Sequence, residues 1–511
     1  MYKTRVPRPA RFWLIILFAF FYQLTGGVYL AALSQMVGEL AFLREDVIMA
    51  GYCSLIGLNM IFPVLFRWKF YFFTRQMFFI SATGSLLCAI IAMHAPVPWL
   101  LWLTCLIAGY FKMMGMFACM TSIQLNVTPT RNYGVFFPVV YLLVCGAIQL
   151  SGLLTAHLTH AFDWRAIYLF IVAFMLLIDL LVYFLMKPDH RSVPFIPLKG
   201  IDWTGHLLWI ATCCVAAWIF TFGEHYDWLE GAPVRHACRI LLILLAATLL
   251  ESHLKKEPFI ALKAFAYPMT WAVLFLLFGM VILQSSAHVL HPLFMNTVAG
   301  YDYLTITRFN YPELAGIVAG AIAAYYTLVR LKWRMKTYFF TCFLSVTFYL
   351  AATYFLIAPS TEARMFALPL FAFGVAEVMM ETGATFILTH SIPFPHFFMN
   401  IAIVGIIRCG VGTAAASAAI ERLLAWSTTK HFMLTSSALT PATSPSEPWF
   451  ASQFTTQNLI PALQECFGVL TFLGLSMTLL VLVSRYRTTL TSLLPRLITI
   501  ARSIRHPSSD K

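Results

Sequence analysis

Glu377 and Glu381 stand four residues apart inside one long apolar run, a spacing that puts both carboxylates on one face of a helix. An ionised side chain at the bilayer centre costs about 2.5–3.5 kcal/mol on insertion scales, so one that is present faces a wet cavity or a partner. Two carboxylates this close resist double ionisation, and such a pair could exchange a proton for a cationic substrate. Arg408 lies near the middle of the next run, at a matching depth by the 1.5 Å rise per residue. A Glu–Arg latch that opened on protonation would bias the protein between two forms; a static ion pair is the alternative reading. Lys112 and Asp179 are the other charges deep inside apolar runs. Lys112 reads either as a cavity residue or as a paired one, and Asp179, nearer the end of its run, reads as structural. Two H-x-x-H pairs, His157 with His160 and His288 with His291, invite a metal reading, but no third ligand accompanies either and there is no H-E-x-x-H. Interfacial hydrogen-bonding histidines are the expectation, with no metal. No G-x-x-x-x-G-K loop is present, which argues against direct ATP drive, and no motif asks for a cofactor.

The elements that must position these residues follow from composition. Of 511 residues, 60% are hydrophobic and 11% charged, against roughly 25% charged in an ordinary soluble domain. A water-soluble protein is excluded. Apolar runs cover about 12–38, 47–66, 76–93, 99–123, 133–157 and 166–186, then 203–222 and 236–250, then 268–290, 313–329, 337–357, 365–389, 397–423 and 466–484. The expected architecture is an all-α membrane protein of about 14 transmembrane helices, with two six-helix bundles (1–186 and 268–485), a two-helix connector (187–267) and a basic tail (486–511). Ends of the runs at His236 and Glu313 are the least defined. The stretch 425–465, rich in Ser, Thr and Pro, reads as an irregular loop.

Net charge is +13, but in such a chain the cations report topology before they report a nucleic-acid partner. Under this scheme 24 of the 34 lysines and arginines fall at the N-terminus, in the even-numbered connections and in the tail. Both termini should therefore be cytoplasmic, in an inner membrane. Arg487, Arg496, Arg502 and Arg505, among Leu and Ile, could form a basic amphipathic helix on the membrane lipid or a solvated tail. Eleven cysteines without a C-x-x-C read as small buried apolar residues.

An internal rhyme links the halves. The second run ends in Arg67-Trp68-Lys69 and the second run of the last group in Arg330-Leu331-Lys332. Matching basic hinges suggest a rocker built from duplicated halves with its site between them; plain topology determinants explain them nearly as well. Further signatures are Asp163-Trp164-Arg165-Ala166-Ile167-Tyr168, Asp202-Trp203-Thr204-Gly205 with Gly223 and Asp227-Trp228, Pro258-Phe259-Ile260 running to Phe265, Gly300-Tyr301, and Arg408 with Gly410 and Gly412. In order and spacing these resemble the major facilitator superfamily, and within it the fourteen-span drug:proton antiporter branch.

The chain departs from that branch at several places. The acidic residue of the first span is Thr25, the hinge after the second span lacks its Asp, and the Gly-Pro of the fifth-span pattern falls on Ala147-Ile148, leaving Gly146 and Gly152. The resemblance implies a secondary active transporter rather than an enzyme, exporting amphipathic or cationic small molecules against protons; the buried charges Glu377, Glu381, Arg408 and Lys112 are the candidate coupling residues. Thr25 and Asp179 are further cavity candidates, and Arg67, Lys69, Arg330 and Lys332 would make gating contacts. The same fold carrying a small anionic metabolite on Lys112 and Arg408 is the nearest rival; a membrane-embedded enzyme or a non-transporting sensor stands further off. Pumps of that branch sometimes use a periplasmic adaptor, and no residue here points to one.

Overall fold

The computed structural model describes residues 3, 7–25, 32–128, 132–188, 195, 197–359, 361–438 and 448–484. The proposed helix at Arg487–Arg505 lies outside the described residues. Backbone amides in lipid must be satisfied within their own segment, and every apolar run accordingly holds helix. In chain order these are α1 (Arg8–Leu24), α2 (Leu33–Leu40), α3 (Arg44–Met60), α4 (Phe62–Tyr71), α5 (Thr74–Met93), α6 (Pro98–Val127), α7 (Tyr133–Ala161), α8 (Arg165–Leu185) and α9 (Trp203–Phe222). There follow α10 (Ala232–Leu254), α11 (Pro268–Leu293), α12 (Tyr303–Thr307), α13 (Asn310–Tyr325), α14 (Met335–Leu356), α15 (Ala367–Ser391), α16 (Phe394–Cys409), α17 (Val411–Ala438) and α18 (Pro448–Val483). Among the described residues twelve helices are long and apolar enough to cross a membrane. The pair α3 and α4, bent by 56°, makes a thirteenth if counted as one broken span, and a shorter apolar helix covers Pro9–Leu24. The protein is an integral membrane protein with two six-helix bundles and a two-helix connector, α9 and α10, which lies against α3 and α17.

Three expectations are corrected. The first run is not one continuous helix, since α1 stops at Leu24 and Ala41 ends α2 in the left-handed region at φ 52°. The second run breaks where Pro63 enters the first turn of α4, because proline supplies no amide hydrogen and crowds the preceding turn. The stretch 425–465, expected as an irregular loop, is helical in its described residues: α17 continues to Ala438 and α18 begins at Pro448, and 439–447 lie outside the described residues. Thr429, Thr435, Ser436 and Ser437 bond their hydroxyls back to carbonyls of the preceding turn, as Thr429 does to Ala425 at 2.8 Å, so a polar composition costs this helix little. The weak runs also extend: α10 begins at Ala232, and the span expected from Glu313 begins at Tyr303, with Glu313 in the first turn of α13.

The duplication is built into two helix crossings. A Cβ added at Gly57 of α3 would meet the Leu106 carbonyl oxygen at 2.0 Å, and one at Gly109 of α6 the Ser54 oxygen at 2.1 Å. In the other half a Cβ at Gly316 of α13 would meet the Phe371 oxygen at 2.1 Å, and one at Gly374 of α15 the Glu313 oxygen at 2.3 Å. Backbones that close are possible only without side chains at the crossing. The match fixes a register: Lys112 follows Gly109 by three residues as Glu377 follows Gly374. Lys112 and Glu377 thus occupy equivalent depths in the two bundles.

Candidate functional site

Two polar stripes face each other between the bundles. On α7, Tyr141, Cys145 and Gln149 recur every four residues; on the antiparallel α15, Thr385, Glu381 and Glu377 do the same. Spacing of four places each set on one helix face. The Tyr141 hydroxyl pairs with Thr385 Oγ1. Arg408 Nη1, from α16, donates to Glu381 Oε2 at 2.8 Å and to the Tyr141 oxygen at 3.2 Å, with its guanidinium 5.6 Å from the Tyr141 ring centre. One cation therefore joins a carboxylate of its own bundle to a phenol of the other. The pair is only partly shielded, with side-chain exposures of 20% for Arg408 and 14% for Glu381.

Glu377 sits one turn away on α15, beside the Cys145 thiol of α7, and its Oε2 is buried with no hydrogen-bond partner. Orphaned buried polar atoms are uncommon in native structures and call for an explanation. Farther along the same seam, Gln149 Nε2 donates to Glu313 Oε1 of α13, and Asn310 Nδ2 donates to the Gln149 carbonyl at 3.4 Å. Glu313 is 7% exposed. Sequence reading missed it by placing it at the end of a span; the signal was the polar stripe ending at Gln149 on the facing helix.

The remaining expected residues divide. Lys112 is 6% exposed and lies within electrostatic reach of Cys409, the neighbour of Arg408. Among the described residues no carboxylate pairs with it. Gly146 and Gly152 lie on the α7 face toward α13, where added Cβ atoms would meet Leu314 at 3.7 Å and Asn310 at 2.9 Å. Thr25 lies elsewhere: its hydroxyl donates to the Tyr22 carbonyl at 2.6 Å, and it lines two narrow crevices inside the first bundle, with Ser151, Thr155 and Phe174 in one and Ser85 and Tyr168 in the other. Asp179 is also apart, accepting from Thr83 at 3.0 Å between α5 and α8.

The basic hinges are not equivalent. Arg67 donates to the Lys199 carbonyl at 2.8 Å and to Glu257 at 2.9 Å, which ties the first bundle to the connector. Lys69 lies 5.8 Å from the Phe117 ring centre. Arg330 and Lys332 are exposed, and Lys332 has φ 48°. The repeated motif has kept its place and lost its symmetry of contacts. Of the histidines, His157, His160 and His288 are exposed whereas His291 is buried; among the described residues no group of three or more His, Cys, Asp or Glu could hold a metal.

Duplicated bundles, a connector and a polar seam between the halves are features that a sequence profile can test. The profile of the Major Facilitator Superfamily matches residues 15–417. The chain belongs to the major facilitator superfamily. No curated protein sequence matches it significantly. Solved structures share the fold at low identity. A nucleoside transporter, NupG, aligns with TM-score 0.52 and 12% identity, covering 91% of this chain and 99% of its own. The tetrameric PepTSo2 aligns with TM-score 0.57 and 13% identity over 96% and 98%. A structure described under substrate recognition in proton dependent oligopeptide transporters aligns with TM-score 0.59 and 13% identity over 95% and 98%. The likeness to these structures shows the fold, and membership of the superfamily points to a transporter.

Proposed function

We propose that this chain is a proton-coupled secondary transporter that exports amphipathic or cationic small molecules by alternating access, in the manner of the multidrug antiporters. The observation that carries the reading is the bridge Glu381–Arg408–Tyr141, because protonating Glu381 removes the partner that holds a guanidinium between the two bundles. A change of charge at one carboxyl is then coupled to the fit of one half against the other. Glu377, with its orphaned oxygen, supplies the second exchange site one turn away. Its neighbours in fold include proteins described as proton dependent, which supports the choice of ion. Charge asymmetry across the connections supports cytoplasmic termini in an inner membrane, with lipid around the exposed faces.

The test is transport by proteoliposomes under an imposed pH gradient across a substrate panel. Uptake driven by the gradient, abolished by an uncoupler and lost in the Glu377→Gln/Glu381→Gln double variant, is the expected result. Undiminished transport under the uncoupler removes the proton. The unpaired Lys112 favours one second reading, a small anionic metabolite held by Lys112 and Arg408; anions competing with transport in wild type and not in Lys112→Gln would select it.

A further inference from the structure

Where α7 meets α13, on the membrane side opposite the even-numbered connections, the contact is made by an acid. Glu313 accepts a hydrogen bond from Gln149 across the bundle interface, and Asn310 and Gly152 close the next turn. We propose that Glu313 is the proton-sensing latch of this gate: protonated, it holds α7 against α13, and ionised, it lets them part.

Charge and burial argue for this. Glu313 is 7% exposed and Gln149 is equally buried. Among the described residues no Lys, Arg or His lies within salt-bridge distance of Glu313. The groups facing it are Glu377 from α15, Tyr349 from α14 and the neutral Gln149 from α7; beyond Tyr349 stands His291 of α11, with ring centres 6.4 Å apart. A carboxylate in that setting has no cation to offset its desolvation and a second acid beside it, so the charged form is disfavoured. A neutral carboxyl can accept the Gln149 amide hydrogen at no such cost. Parting of α7 from α13 would expose the acid to water, which favours ionisation. The closed gate therefore binds one proton more than the open one, and the open-to-closed ratio changes about tenfold per pH unit through the transition. With Glu377 next inward on the same seam, the latch also delivers its proton toward the coupling pair. This step rests on the proton-coupled reading above, whereas the latch itself is a property of the gate.

Hydrogen exchange of the intact protein in lipid nanodiscs separates the two. After correction for intrinsic rates, segments 149–161 and 303–316 should exchange faster with rising pH, by up to about tenfold per unit. Glu313→Gln should be slow and flat across the range. Gln149→Ala, which retains the acid, should open at lower pH and guards against misfolding of the first variant. The Glu377→Gln/Glu381→Gln variant should retain the pH-dependent opening. An unchanged profile in Glu313→Gln, a flat wild-type profile, or loss of the profile in the α15 double variant instead, each overturns the latch. Proton-independent transport with the latch profile intact overturns only the coupling reading.

Discussion

The bridge between Arg408 and Glu381 makes a quantitative claim. A hydrogen bond to a charged group contributes about 1.5–3 kcal/mol, and breaking one side of a fully buried pair costs about 3–5 kcal/mol. Exposures of 20% and 14% let water partly replace the lost partner, so each single change, Glu381→Gln or Arg408→Gln, should cost about 2–3 kcal/mol. Because both remove the same 2.8 Å contact, the double variant should cost much less than the sum, leaving an interaction energy near 2 kcal/mol. Reversible unfolding in mixed micelles, carried around the four-variant cycle, measures it. An interaction energy below about 0.5 kcal/mol would falsify the bridge as a shared contact. The charge-reversed chain, Glu381→Arg with Arg408→Glu, then separates latch from brace. A static brace predicts that it regains stability and gradient-driven transport together; the latch predicts regained stability with gradient-driven transport impaired, because only one of the two exchangeable carboxyls, Glu377, then remains on α15.

Other consequences follow from particular contacts. Gly316→Leu should cost about 1–3 kcal/mol and reduce the monodisperse fraction on size exclusion, since its Cβ would stand 2.1 Å from the Phe371 oxygen, whereas Gly38→Ala, with nothing within 4 Å, should be silent. Asp202 caps α9 through the Gly205 amide at 3.0 Å and pairs with Lys255. Burial pushes its carboxyl up, but Lys255 and the Gly205 amide outweigh this and hold it well below the usual carboxylate range. Its stabilisation should be full above the ordinary carboxylate range and lost as pH falls through the lowered value; the Tm gap between wild type and Asp202→Asn should close on acidification and stay open at neutral pH. Arg67→Ala breaks an ion pair whose Glu257 partner is 72% exposed, so its stability change should stay within about 1 kcal/mol while limited proteolysis at the connector quickens.

Much of the fold was legible because the solvent is lipid. Each apolar run had to be helix, and the Gly57, Gly109, Gly316 and Gly374 crossings repeat the duplication that the Arg67 and Arg330 hinges hinted at. Hydropathy says less where polar side chains satisfy themselves locally, so the Ser- and Thr-rich stretch after Ala425 read as a loop although its described residues fold as helix. Glu377 and Glu381 were legible as neighbours because four-residue spacing is a property of one helix.

Which groups those acids meet was not legible. Tyr141 reaches Arg408 across 267 positions of chain, and Gln149 reaches Glu313 across 164. Such encounters depend on the rotation and tilt of α7 against the second bundle, which no local pattern encodes. The sequence by itself determined where the membrane is crossed and which charges it must hold, since burial energy is a property of each segment. Only the tertiary structure decided that Thr25 and Asp179 stand apart from the seam while Glu313 joins it, because pairing energy belongs to two segments at once.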